Sequence, residues 1–329
     1  MSTGVRNVIV GGLAGDAITT SSYNTAVGHA ALSSEDTHGY NVAIGLSALE
    51  TLNAGADAYN VAVGWNSGYA MTTGVRNTVI GAAAGDALTT GSDSTALGHS
   101  ALGAENTGQK NTAIGSYALA SLDYNGDGHN AAVGFNAGLN VSTGIQNTLM
   151  GSLAGDALTT GSKNVAIGIA ALSTEDADHY STAVGAYALE SQNTGADAYN
   201  TAVGYFAGNA ISTGTKNVCI GSQAADALTT GYNNIVIGHN AAASAVDVNN
   251  ELTIGDANID AFRCADQSIA ALSDGRDKSD VKDSGFGLDF IDSIRPVEFT
   301  WDFRPENMSE NKQGKKRVGF IAQELQEAM

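Results

Sequence analysis

The chain has 329 residues, a formal net charge of −19, and 41 Gly against only 2 Pro. It is too apolar and too sparsely charged for intrinsic disorder, no apolar run reaches membrane-spanning length, and no signal peptide follows Met1. Residues 1–270 carry 6 Lys/Arg against 22 Asp/Glu, a net of −16, while residues 271–329 carry 9 against 12, a net of −3. An acidic bulk of this kind disfavours nucleic-acid binding and membrane insertion or surface binding.

From Asn7 onward one short unit recurs fifteen times: N-x-x-φ-G, with φ a large apolar residue and with Ser94, Ser181 and Glu251 replacing the Asn. Its glycines stand at 11, 28, 45, 64, 81, 98, 115, 134, 151, 168, 185, 204, 221, 238 and 255. The spacings run 17, 17, 19, 17 and then repeat, giving a super-repeat of 70 residues. MSTGVRN at 1–7, MTTGVRN at 71–77, VSTGIQN at 141–147 and ISTGTKN at 211–217 confirm the register. A period of this kind predicts a mainly β fold, a parallel β-roll or β-solenoid shaft over residues 1–255. With one unit per coil at about 4.8 Å, the shaft is roughly 70 Å long.

Within each unit, the residue before Gly is always large and apolar, and the residue before that is Ala in nine of the fifteen units. Adjacent strand residues point to opposite faces, so both faces are expected to be covered. A single solenoid covers only one. The Ala face is therefore expected to meet a second copy at close range, which makes the shaft a homotrimer. Three residues after each Gly, as far as Ala241, comes a small residue, followed by Leu in the second and third units of each super-repeat up to Leu189 and by Gly in the first and fourth up to Gly208. This step is expected to form either a second short strand or a helical turn. The T-T-G and N-T-G segments read as turns using glycine's positive φ, and the leading Asn as a turn exit able to form a stacked ladder.

Cys219 stands where other units have Ala, Val, Ile or Leu, so it reads as a small buried apolar residue; with Cys264 it gives neither a disulfide framework nor metal-ligand spacing. Asp123 to Gly128 resembles half of an EF-hand loop, but Gly134 occupies the place of the required Glu, and a turn insertion is the better reading. His29, His99 and His239 recur without Ile169 completing the series, and Asp16, Asp86, Asp156 and Asp226 recur once per super-repeat as expected surface turns. No metal or cofactor is expected. Tyr59, His129 and Tyr199, in the largest turns, are candidates for stacking on sugar rings.

The N-x-x-φ-G array resembles the head repeats of trimeric autotransporter adhesins and the N-T-A-I-G arrays of phage tail fibres, which implies a trimeric parallel β-roll. Residues 256–272 read as a neck. Beyond them lie Ser273-Asp274-Gly275-Arg276-Asp277-Lys278, then I-R-P-V-E-F-T-W at 294–301 and G-F-I-A-Q-E at 319–324. These three motifs, in this order, resemble the C-terminal intramolecular chaperone of phage endosialidases and tailspikes, with a helix starting at the third. The resemblance implies that residues 273–329 are the start of a partial α+β chaperone, one that trimerises the fibre and then releases itself through a Ser-Lys dyad. Ser273 is then the nucleophile, Lys278 the general base and Arg276 a cation assisting either one.

The function expected is structural and host-recognition: a tail-fibre component in the virion, assembled in the host cytoplasm, meeting a cell-surface glycan or protein receptor and joined to other tail proteins at its N-terminus. The alternatives are a polysaccharide-degrading tailspike enzyme, a bacterial trimeric adhesin and, more remotely, an ice-binding solenoid. An enzyme needs a non-repetitive catalytic region and an adhesin needs an anchor, and residues 7–255 hold neither.

Overall fold

In the computed structural model, residues 3–261, 296–300 and 316–319 are described. The chain divides into two compact units, Met1–Asp256 and Ala257–Met329. The first is a parallel β-solenoid whose fifteen strands, β1 (Val8–Val10) to β15 (Leu252–Ile254), form one sheet in strict sequence order. Each strand is three residues long and pairs in register with its counterpart in the next coil, Ala26 opposite Ala43 and Ala43 opposite Ala62. Among the described residues there is no helix. The small-residue step after each Gly is neither a second strand nor a helical turn but a hydrogen-bonded bend.

Stacking extends to the turns. Gly15 N–H donates to Ala31 O at 2.9 Å, and Thr19 N–H to Asp36 O at 2.9 Å. Because every coil meets the next along its whole contour, the backbone groups that a loop usually gives to water are paired between coils. The two glycine classes serve different needs. Gly134 ends its unit at φ +143°, and a Cβ there would lie 2.4 Å from Gly151 O. The glycine of the T-T-G turn has no positive φ, contrary to expectation. Gly74 is required instead by close approach, since its Cβ would meet Gly91 O at 2.4 Å.

The unit asparagines line the interior as a ladder. Asn147 Oδ1 accepts the Asn164 N–H at 2.9 Å, and Asn147 Nδ2 donates at 2.9 Å to Gly161 O, in the corner stacked on Gly144. Equivalent bonds join Asn7 to Asn24, Asn24 to Asn41 and Asn60 to Asn77. Ser94 continues the ladder with its hydroxyl, accepting the Asn111 N–H. At the last coil Asn234 Oδ1 accepts the Glu251 N–H, while the Glu251 carboxylate turns to the Ser244 N–H and the Ser244 and Thr253 hydroxyls.

The facing of the strands reverses the expectation from sequence. The central residues, Ala26, Ala43, Ala62, Ala113 and Ala183 among them, are fully buried inside the coil rather than on an outer face. The reason is volume. Where the centre is Ala in the second and third coils of a super-repeat, Leu32, Leu49, Leu102, Leu119, Leu172 and Leu189 fill the space opposite. Where the centre is larger, at Val79 or Leu149, the opposing positions are glycines: a Cβ on Gly85 would touch Val79 at 3.0 Å, and one on Gly155 would touch Leu149 at 2.8 Å. Large and small residues thus complement one another across a narrow interior, and in the fourth coil, where Ala62 faces Gly68, side chains such as Leu49, Val79 and Met71 reach in around the glycine. Cys219 belongs to this core as a buried apolar residue, and burial pushes its thiol up to about 12.

In the second unit, β16 (Val297–Thr300) pairs antiparallel with β17 (Lys316–Gly319), Val297 opposite Gly319 and Thr300 opposite Lys316. These strands carry the V-E-F-T part of the second tail motif and the first glycine of the third. The helix expected from the remainder of that motif lies outside the described residues.

Candidate functional site

Because the central residues face inward, the flanking strand residues face out. The residue before each Gly forms an apolar stripe running the length of the sheet; Leu97 and Met150 are each 43% exposed, and Val10, Ile44, Val203, Ile220 and Ile254 are exposed too. The other outward position is mostly Thr or Val, as at Thr112 and Val165. An aliphatic face of this length is larger than the scattered apolar residues of an ordinary monomer surface.

Two rows border the stripe. Immediately before each unit Asn stands a corner residue with positive φ: Arg6, Tyr23, Tyr40, Tyr59, Arg76 and so on to Asn250. Side chains in this row stack from coil to coil. Tyr23 lies on Tyr40 at 4.8 Å between ring centroids, Tyr40 on Tyr59 at 5.0 Å, and Tyr180 on Tyr199 at 5.1 Å. Arg6 covers the outer face of Tyr23 at 5.0 Å, and Lys163 that of Tyr180 at 5.1 Å. In the middle of the row Arg76 makes a bidentate pair with Asp93 at 2.6 and 2.8 Å, and Lys110 pairs with Asp127. Partnered by Arg76, the Asp93 carboxyl is held below its ordinary range. One ring face of Tyr59 and one of Tyr199, candidates for sugar stacking, are thus taken up by Tyr40 and Tyr180 of the preceding coil, while both side chains stay exposed. The other row follows each unit Gly and includes Trp65, Phe135 and Tyr205, 54%, 53% and 53% exposed.

Inside the solenoid is a set of carboxyls that reading residue types along the chain did not single out. Glu35, Glu105 and Glu175, 70 residues apart, are fully buried at a position where other coils have Ile18, Leu52, Met71, Leu88 or Leu122. Each accepts the N–H three residues on: Glu35 from His38 at 2.9 Å, Glu105 from Gly108 at 2.7 Å, Glu175 from Asp178 at 2.6 Å. Glu105 Oε2 is buried with no hydrogen-bond partner. Burial, helped by the Asp123 charge, pushes Glu105 up to about 7. Glu175 rises to about 8, from burial first and then from a side-chain hydrogen bond with the buried Asp178. Glu35 is raised, mainly by burial. Aligning the units column by column reveals the signal, an acid in an aliphatic column. Asp86 and Asp156, expected as surface turns, are partly buried, and burial raises both.

Ser273, Arg276 and Lys278 lie outside the described residues. Residues 273–329 match the family model for the chaperone of endosialidase. No curated protein and no solved structure matches the chain. A fifteen-coil parallel β-solenoid followed by a segment of this chaperone type fits a tailspike- or tail-fibre-type protein with a C-terminal chaperone. No helix among the described residues is long and apolar enough to cross a membrane.

Proposed function

We propose that residues 1–255 are the shaft of a homotrimeric phage tail fibre that contacts the host cell surface, and that the chaperone segment drives its trimerisation and then cleaves itself off through Ser273 and Lys278, with Arg276 as an assisting cation. The observation that carries this reading is the outward aliphatic stripe. Fifteen coils at about 4.8 Å and a strand face about 10 Å wide give roughly 700 Å² per copy, near the ~800 Å² per partner of a stable interface. Three such stripes meeting on one axis form a second core. The stacked turns on the remaining sides are repeated at each coil, so receptor contacts there are multivalent and individually weak.

Because the central alanines face the coil interior, the interface test falls on the outward stripe. Ile114→Glu with Val184→Glu keeps the coil interior intact and is expected to give a folded monomer by sedimentation, where the unaltered protein sediments as a trimer. A well-folded monomer for the unaltered protein refutes the reading.

A further inference from the structure

The stripe gives a reason for copies to associate but none for which edge meets which. The distribution of charge does. Residues 1–255 contain five basic side chains, Arg6, Arg76, Lys110, Lys163 and Lys216, and every one stands in the corner row just before a unit Asn or its Ser replacement. All five are exposed; Arg76 and Lys110 are also paired within the chain, to Asp93 and Asp127 on the same edge, while Arg6, Lys163 and Lys216 have no carboxylate in salt-bridge contact among the described residues. The opposite edge of the sheet, past the strand ends, has no Lys or Arg. It carries the exposed aromatics Trp65, Phe135 and Tyr205, and four residues beyond that row it carries Asp16, Asp86 and Asp226, in the same coils as Arg6, Arg76 and Lys216.

Resting on the trimeric reading above, we propose that the shaft surface is self-complementary edge to edge: the cation-and-tyrosine edge of one copy packs against the aromatic-and-acidic edge of a second copy of this chain. The occupant follows from charge. On a shaft as acidic as this, a chain of the same composition is repelled wherever acid meets acid. Segregating all the cations to one edge gives each copy one place where a like chain is attracted. The complementarity also selects polarity. Copies related by rotation about the shaft axis run parallel and put cation edge against acid edge. An antiparallel pair on the same stripe puts cation edge against cation edge, a repulsive arrangement. The aromatic residues act in the same sense. Tyr59 and Trp65, His129 and Phe135, and Tyr199 and Tyr205 lie at opposite ends of one strand in each case, so they cannot meet within a chain but come level between parallel copies. Edge contacts of this kind combine cation–π and ring–ring attraction around the apolar centre.

The test separates this proposal from the trimeric reading beneath it. Replacing Arg6, Arg76 and Lys216 together with Glu is expected to raise the trimer-to-monomer midpoint concentration about a hundredfold in low salt, since each exposed pair is weak alone but the pairs act together. Adding Asp16→Lys, Asp86→Lys and Asp226→Lys to the same chain is expected to restore most of the loss. Within one chain the two rows are separated by the strand face, so rescue reports contact between copies. A second measurement does not depend on charge. With Cys219 and Cys264 replaced by Ala, the pair Tyr59→Cys and Trp65→Cys treated with a short bismaleimide is expected to give covalently closed trimers, whereas Tyr59→Cys alone gives none. If the unaltered protein is trimeric but the swap brings no rescue and the cysteine pair no cross-link, the edge pairing is wrong and the trimer stands. A monomeric unaltered protein removes both.

Discussion

Glu105→Gln isolates the buried carboxyl. In the fold Glu105 has one oxygen satisfied by the Gly108 and Asn106 N–H groups at 2.7 and 3.1 Å and the other buried with no partner. Its folded pKa, about 7, stands above the ordinary 4.5. A raised carboxyl binds its proton in the folded state after the unfolded chain has released it. Its contribution is therefore complete below pH ~4.5, declines as pH rises to ~7, and is absent above. At ~1.4 kcal/mol per unit, that displacement amounts to ~3 kcal/mol. The amide that replaces the carboxyl resembles the protonated acid and does not ionise, so the variant matches the native protein near pH 4.5 and exceeds it by up to ~3 kcal/mol at pH ~8. In thermal melts this corresponds to a difference in Tm opening from near zero to about 5–10 °C across that range. Circular dichroism melts of both proteins from pH ~4.5 to ~8.5, a span that brackets the two pKa values, provide the assay. A Tm difference that does not change with pH refutes the claim that Glu105 is protonated inside the solenoid.

Other outcomes follow from the same packing. Asn147→Ala removes the acceptor for the Asn164 N–H and the donor to Gly161 O, leaving two buried groups unpaired at a cost of about 2–5 kcal/mol; Asn147→Ser, which follows the local precedent of Ser94, costs less, and denaturant unfolding of the two variants checks the order. Gly134→Ala drives a Cβ to 2.4 Å from Gly151 O at a φ of +143° and is expected to leave the array unable to close, read as loss of the folded fraction on expression. In a chain carrying the complete chaperone, Ser273→Ala, Lys278→Ala and Lys278→Arg are each expected to stay uncleaved by intact mass, since the first lacks the nucleophile, the second the base, and a guanidinium gives up no proton near neutral pH; efficient cleavage of Lys278→Ala removes the dyad assignment.

The coil period, the in-register strands and the Asn ladder were legible because each is a local pattern repeated many times. Which strand face turns inward was not. The sequence places apolar residues on both faces, and the decision rests on volumes across the coil: Ala113 and Ala183 fit inside because leucines such as Leu119 and Leu189 occupy the space opposite. The buried Glu105 was hidden for the opposite reason. Asp and Glu are common in surface turns, and only comparison with Leu88 and Leu122 in the same column marks this one as interior. The stacking of the tyrosine row was not legible either: Tyr40 lies between Tyr23 and Tyr59, because in a solenoid the nearest neighbour of a turn residue is its counterpart one coil away.

Glu251, at the end of the ladder, bears on a hazard shared by open β-solenoids. A terminal coil presents unpaired strand edges, which recruit further chains end to end into filaments. The preceding asparagines each hand a side-chain acceptor to the coil beyond, so an Asn in this place would extend an invitation to a sixteenth. Glu251 instead commits both carboxylate oxygens to Ser244 and Thr253, bonds that also hold its carboxyl below the ordinary range. The edge is left negatively charged and without the acceptor on which the next rung would form. One substitution in the last repeat thus breaks the rule of the ladder at the coil where the sheet itself ends.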